Sequence, residues 1–245
     1  MKWDVFDDIR TPAAWLDQAK ELTETPRRRR RTWSPRAKGA LLAACLCAAL
    51  ALPAAAAGAP AASVPAYTDV AADAWYAEAV EAVSLAGYMP GTSETAFSPN
   101  AAVTRATVVT VLWRLEGTPA FSVEAPFPDV AAGAWYETAA AWAKGKGIAA
   151  GNDKGRFNPD SAVTRQELAV LLHRYAQYKG GDVAEGTLSL YSDAASISAW
   201  AREGMAHAVG LGLIQGSDGR IDPGGAATRA QLAVILQRLM TPAMG

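Results

Sequence analysis

The chain has 245 residues, 51% of them hydrophobic and 19% charged, with a formal net charge of −1. That length allows one large domain or two to three small ones, and the near-neutral balance argues against a nucleic-acid partner, which calls for a basic protein. Cys45 and Cys47 lie close together in one apolar run and the only histidines are His173 and His207, which excludes a disulfide framework, a cysteine zinc site and a multi-histidine metal centre.

Charge is uneven along the chain. Residues 1–39 hold ten Lys/Arg against six Asp/Glu, a net of +4, and the remainder is net −5. Within this basic leader, assigned to residues 1–38, Thr11-Pro12 ahead of AAWLDQAKEL reads as a capped short helix. Residues 27–38 read RRRRRTWSPRAK, and Ala40 to Ala57 read ALLAACLCAALALPAAAA. A basic stretch, an apolar run and A-x-A sites after Pro53 are the parts of an export signal, with the arginines on the cytoplasmic side. The run, residues 39–57 with its flank, is also nearly long enough to span a bilayer. Pro53 and the tetra-alanine favour cleavage near Ala57, whereas the long leader favours a retained anchor that contacts the membrane through residues 40–57. On either reading the rest of the chain is exported, beginning with a linker at 58–66.

From Tyr67 the chain repeats itself three times, at offsets of 60 and 64 residues. Asp69, Asp129 and Asp193 align, as do Trp75, Trp135 and Trp200; Gly87, Gly147 and Gly212 fall twelve residues after each Trp. Gly91/Gly151/Gly216, Phe97/Phe157/Ile221 and Pro99/Pro159/Pro223 come next, and each unit reaches Thr-Arg at Thr104-Arg105, Thr164-Arg165 and Thr228-Arg229. The units are bounded at 67–119, 120–181 and 187–241. A first helix is expected to start just after Asp73, Gly133 or Ser198 as N-cap, with Glu78, Glu137 and Glu203 in its first turn. Its apolar stripe is Trp75, Ala79, Ala82, Val83 and Ala86, and it stops at the aligned glycine, a C′ residue that tolerates positive φ. A second helix begins at Thr-Arg, with stripes Val108/Val111/Leu112/Leu115, Leu168/Leu171/Leu172/Tyr175 and Leu232/Ile235/Leu236/Leu239. Between them a Gly/Asn/Asp/Pro-rich loop carries one inward apolar residue, Phe97, Phe157 or Ile221. The exported part is therefore all-α, three helix–loop–helix units. A unit of about fifty residues buries too little alone, so the three are expected to interlock. The linkers 118–126 and 179–187 are expected to be exposed, His207 to join the packing face, and His173 to be half-exposed.

The Thr-Arg motif has two readings. Thr164-Arg165-Gln166-Glu167 spells a capping box; Thr228 with Gln231 fits it, and Thr104 with Thr107 does so by half. Capping does not explain Arg at a position where the helix dipole disfavours a cation. Either the arginine pairs with the aligned Asp inside the fold, or a helix N-terminus plus a guanidinium forms a site for a carboxylate or phosphate. The Trp is equally open: a core anchor, or an exposed platform for a sugar ring. Arg, Trp and glycine repeated three times suit a repetitive anionic ligand such as a cell-wall polysaccharide.

As a set, Tyr67-Thr68-Asp69-Val70, Phe127-Pro128-Asp129-Val130, the Trp, the paired glycines, the F-x-P and the T-R-x-E/Q motif resemble the S-layer homology (SLH) domain over about residues 67–240. The resemblance implies a pseudo-threefold, three-pronged spindle whose core takes one helix from each repeat. It also implies non-covalent attachment at the cell surface of Gram-positive bacteria to a secondary cell-wall polymer, often through a pyruvylated N-acetylmannosamine end held between repeats. Carried over residue by residue, the ligand-binding set is Thr104, Arg105, Thr164, Arg165, Thr228 and Arg229, with Asp69, Asp129, Asp193, Trp75, Trp135, Trp200, Gly91, Gly151 and Gly216. The third copy departs most, with Asp193-Ala194 for Asp-Val and an extra residue before Trp200.

No nucleophile-elbow, P-loop, zincin or dinucleotide pattern occurs, and Gly151-Asn152-Asp153-Lys154-Gly155 reads as a turn rather than a calcium loop. Neither cofactor nor metal is expected. The expected function is non-catalytic wall anchoring. The alternatives are a membrane-tethered linker between membrane and wall, a scaffold for a protein partner, and a wall hydrolase using surface carboxylates.

Overall fold

Helix, glycine, polar loop and capped helix succeed one another three times in the computed structural model, which describes residues 67–121, 126–181 and 185–240. The helices are α1 Ala77–Leu85, α2 Arg105–Leu115, α3 Glu137–Gly145, α4 Arg165–Tyr178, α5 Arg202–Gly210 and α6 Arg229–Met240. Three single-turn 3-10 helices, at Leu188–Leu190, Ala194–Ser196 and Ala199–Ala201, precede α5. Among the described residues there are no strands, only isolated bridges, so the fold is all-α. The basic leader and the apolar segment 39–57 lie outside the described residues. Among the described residues no helix is long and apolar enough to cross a membrane.

The first helix of each repeat starts later than its sequence suggests. Its N-caps are Tyr76, Tyr136 and Ala201, without a side-chain cap bond, in place of Asp73, Gly133 and Ser198. Successive i→i+3 turns, Ala74 N to Ala71 O and Ala77 N to Ala74 O in the first repeat, imitate helix ahead of the true start. Trp75 therefore stands before α1 rather than on its apolar stripe; Ala79, Val80 and Val83 are the residues that α1 buries. The far end is as expected. Gly87, Gly147 and Gly212 come directly after the C-caps at φ of +71°, +70° and +65°, where a side chain would be strained.

The second helices are capped by Thr. Glu167 completes a reciprocal box with Thr164, Gln231 does the same with Thr228, and Thr107 gives Thr104 only its amide and a hydroxyl contact. Just ahead of each cap the three repeats meet. Val103 N donates to Ala227 O, Ala227 N to Val163 O and Val163 N to Val103 O, each at 2.9 Å. These three buried residues thus form a closed ring of backbone hydrogen bonds with one member per repeat. Further out the donation runs the other way round, from each repeat to the next. Arg105 N donates to Ser161 O, Arg165 N to Gly225 O and Arg229 N to Ala101 O, so the orphan amides that open each second helix are satisfied by the next repeat's loop. Helix packing keeps this order, α2 on α3, α4 on α5 and α6 on α1. Every repeat is needed to complete the other two, and the buried residues form one cluster that draws on all three.

Two local expectations change. Most described linker residues, Thr118, Ala120, Lys179, Gly180, Gly181, Glu185 and Thr187, are exposed as expected, but the ends pack: Pro126 is buried, Phe121 lies against Gly145, and Gly186 N donates to Ala206 O. His173 is buried rather than half-exposed, its ring 4.8 Å from that of buried His207 across the α4–α5 contact.

Candidate functional site

The arginine of Thr-Arg reaches out of its own repeat into the next. Arg105 donates from Nε to Phe157 O at 2.7 Å and from Nη2 to Ala150 O at 3.0 Å. Arg165 does the same to Ile221 O and Gln215 O at 2.7 and 2.9 Å. Arg229 closes the cycle to Phe97 O and Pro90 O, both at 2.8 Å. Arg105 and Arg229 also lie over the Phe157 and Phe97 rings, at 5.2 and 4.6 Å from the centroids; Arg165 faces Ile221 and has no such ring. Burial pulls all three arginines below their usual pKa. In each, two edges of the guanidinium are spent on neutral carbonyls, and Nη1 makes no hydrogen bond among the described residues.

The aligned aspartates do not pair with these arginines at hydrogen-bond range. Asp69 accepts Phe97 N and Ser98 N at 2.8 and 2.7 Å. Asp129 accepts Phe157 N and Asn158 N, and Asp193 accepts Ile221 N and Asp222 N, all at 2.8 Å. Each carboxylate clamps its own repeat's loop at the point where Ser98, Asn158 or Asp222 takes a positive φ of 50–59°. The amide of Phe97 holds Asp69 below the usual carboxylate range, and that of Ile221 does so for Asp193. For Asp129 burial pushes upward, but the amides of Phe157 and Asn158 with nearby Arg156 more than offset it. The three glycines are needed for space. A Cβ on Gly91 would sit 2.6 Å from Ala96 O, one on Gly151 2.7 Å from the Gly155 carbonyl carbon, and one on Gly216 2.5 Å from the Tyr191 ring.

The tryptophans face solvent. Trp75, Trp135 and Trp200 are 68%, 64% and 59% exposed, far from the usual burial of an indole. Each borders a groove assembled from all three repeats. Arg105, Gly151 and Trp200 line one of about 650 Å³; Arg165, Gly216 and Trp75 line a second of about 670 Å³; Arg229, Gly91 and Trp135 line a third of about 160 Å³. Nine of the fifteen residues singled out from the sequence thus meet in three equivalent grooves. The three aspartates and the three threonines do not line them, and serve the loop clamp and the helix cap instead. An open groove with a cation, a flat aromatic face and exposed loop backbone suits an anionic sugar. Among the described residues no group of three or more His, Cys, Asp or Glu is placed to hold a metal.

Sequence reasoning missed the second cation of each groove. Arg114, Arg174 and Arg238, nine residues after each Thr-Arg arginine, line the same grooves from the body of the second helix. Their recurrence at one offset was the available signal.

A sequence profile of the S-layer homology domain matches residues 66–109, 126–169 and 190–233, more than half of the chain. The chain is 33% identical over 173 residues to an amylopullulanase of Thermoanaerobacterium thermosulfurigenes, which covers 69% of this chain and 9% of that one. It is 33% identical over 181 residues to an endoglucanase of Bacillus sp. (strain KSM-635), 71% of this chain and 18% of the other. It is 32% identical over 169 residues to the surface-layer 125 kDa protein of Lysinibacillus sphaericus, 66% and 14% respectively. The chain therefore spans less than a fifth of the length of these three relatives. With three matched copies, each carrying one arginine of the ring of grooves, the chain belongs to the S-layer homology domain family.

Proposed function

We propose that the three repeats are a non-catalytic anchoring module that holds the exported chain at the cell surface by gripping an anionic wall polysaccharide. The carrying observation is the threefold recurrence of one groove chemistry, a guanidinium with a free edge opposite an exposed indole. The ligand end on this reading is an acidic sugar, a pyruvylated N-acetylmannosamine being the case the family suggests. Its carboxylate meets Nη1 of Arg105, Arg165 or Arg229, and its ring lies on Trp200, Trp75 or Trp135. The relatives support attachment over catalysis: the stretch they share with this chain is a small part of proteins with unlike names, two of them enzymes and one a surface-layer protein.

The test is co-sedimentation of the full chain with purified cell-wall sacculi, before and after extraction of the secondary polymer. The informative variant is Trp75/Trp135/Trp200→Ala rather than a triple arginine variant, because the arginines also hold the repeats together. Binding that needs both the polymer and the tryptophans supports the reading. A folded wild-type chain that stays in the supernatant refutes it.

A further inference from the structure

The three grooves are built alike but are not equally charged where it matters. In the groove of Arg229 and Trp135, Arg114 donates to Tyr88 O at 3.1 Å. In the groove of Arg165 and Trp75, Arg238 donates to Gly212 O, Leu213 O and Gln215 Oε1 at 2.7, 3.3 and 3.2 Å, and Arg220 stands 3.9 Å from Asp193. Arg238 is committed to the fold through both Nη atoms, and Arg114 through Nη1. Arg174, the equivalent residue in the groove of Arg105 and Trp200, makes no hydrogen bond or ion pair among the described residues. It is half-buried on α4; burial first, and the charge of Arg174 after it, lower the pKa of Arg105 against the opposing pull of Glu167 and Asp129.

Two acidic groups, Asp153 and Glu167, line this groove, and neither forms an ion pair with Arg174. Glu167 accepts the amide and the hydroxyl of Thr164 on Oε2 at 2.7 Å each, and the charge it keeps acts on Arg105. Asp153 is exposed in the loop, and the remaining cation, Arg156, sits 3.8 Å from Asp129. The groove thus sets two positive groups close together, one with a free edge and one wholly unspent, beside a wide opening and an exposed indole. An anion placed between them gains two charge-assisted partners and relieves their repulsion. Arg174 keeps its planar fork available for bidentate capture of a carboxylate or a phosphate, which a committed arginine cannot offer.

We propose that the groove of Arg105 and Trp200 is the tightest of the three sites, and that Arg174 is the residue that makes it so by gripping the ligand's carboxylate or phosphate together with Arg105. This rests on the proposed function and assigns its primary site. The test titrates the full chain calorimetrically with two probes, the methyl glycoside of pyruvylated N-acetylmannosamine and the same glycoside carrying a phosphate monoester instead. The neutral parent sugar is the control. Arg174→Gln is expected to weaken the tightest site by about tenfold or more, whereas Arg238→Gln acts on a weaker one. Arg174→Lys, which keeps the charge and loses the fork, recovers part of the loss. Whichever probe shows the larger Arg174 effect identifies the anionic group. Thermal melts run alongside: Arg174→Gln keeps the wild-type midpoint because it breaks no internal bond, and Arg238→Gln lowers it. Tightest-site affinity within about twofold of wild type in Arg174→Gln, or a melt lowered as far as that of Arg238→Gln, overturns this assignment alone. No binding of either probe by the wild type overturns the proposed function and this assignment together.

Discussion

Arg229→Ala opens the ring of repeats at one known point. The side chain donates two charge-assisted bonds to Phe97 O and Pro90 O, both at 2.8 Å, and lies 4.6 Å from the Phe97 ring centroid. Bonds of this kind are worth about 1.5–3 kcal/mol each, and a cation over an aromatic face about 0.5–1 kcal/mol at a site of this exposure. The side chain is half-buried, so water recovers part of the loss at the freed carbonyls. The net cost is then about 2–4 kcal/mol, a large share of the roughly 5–15 kcal/mol that holds a typical domain. For a body of this size that lowers the melting midpoint by roughly 4–16 °C. Arg105→Ala should behave alike, and Arg165→Ala should cost less by the missing ring, since Ile221 replaces phenylalanine there. The assay is a thermal melt of the full chain at low salt and at about 1 M salt, where the screening length falls to about 3 Å. Because the acceptors are neutral, the deficit should persist in salt. A variant that melts within about 1 °C of wild type would refute the carbonyl strut, and a deficit that vanishes in salt would replace it with an Asp69 ion pair.

The same geometry sets four further outcomes. Gly151→Ala pushes a Cβ to 2.7 Å from the Gly155 carbonyl carbon and should cost about 1–3 kcal/mol in a denaturant melt. Gly87→Ala meets open space and should cost only about 1 kcal/mol, for its positive φ. Asp69, Asp129 and Asp193 have folded pKa values below the ordinary 3.8. Their stabilisation is present above that value and lost as pH falls through the folded ones, so Asp129→Asn should be less stable at neutral pH and show a flatter acid limb between about pH 5 and 2; an unchanged limb contradicts the clamp. Tyr175→Phe removes a buried phenol that donates to Glu116 at 2.5 Å, a contact that joins with burial to push the phenol's pKa upward. It should lower stability by about 1–2 kcal/mol in urea, with Lys179 still holding Glu116 at 3.0 Å.

The repeat pattern made the helix pairs, the Thr caps and the C′ glycines legible, because each rests on neighbours within four residues. What escaped depends on partners far along the chain. Arg229 ends on Phe97 and Pro90, more than 130 residues away, and no local rule names a backbone carbonyl as a partner. The aspartate clamp left a usable trace, since Asp69 to Phe97, Asp129 to Phe157 and Asp193 to Ile221 are each 28 residues apart. The tryptophans were misplaced for a local reason. Turns that imitate helix extend the apparent stripe back to Trp75, and periodicity cannot tell a 3-10 turn from the helix it precedes. Arg174 was passed over because a lone cation on an amphipathic helix reads as a solvated face.

The arginine of Thr-Arg did not have to be either a strut or a ligand group. Its Nε and Nη2 edges hold the loop of the next repeat, and that attachment is what aims the remaining edge into the groove beside a tryptophan from the repeat after. An arginine at a helix start is costly on its own, with the dipole against it, and the two carbonyl bonds offset that cost. The groove is therefore a product of closure. No single repeat contains an arginine, a glycine loop and a tryptophan that face one another, because each groove takes one from each copy. Three copies are the smallest number that completes one such groove, and completing one completes all three. The repeats then diverge where the fold does not constrain them. Arg114 and Arg238 remain tied to backbone while Arg174 is released, so a scaffold that is threefold in its hydrogen bonds presents grooves that differ in the charge each has left to offer.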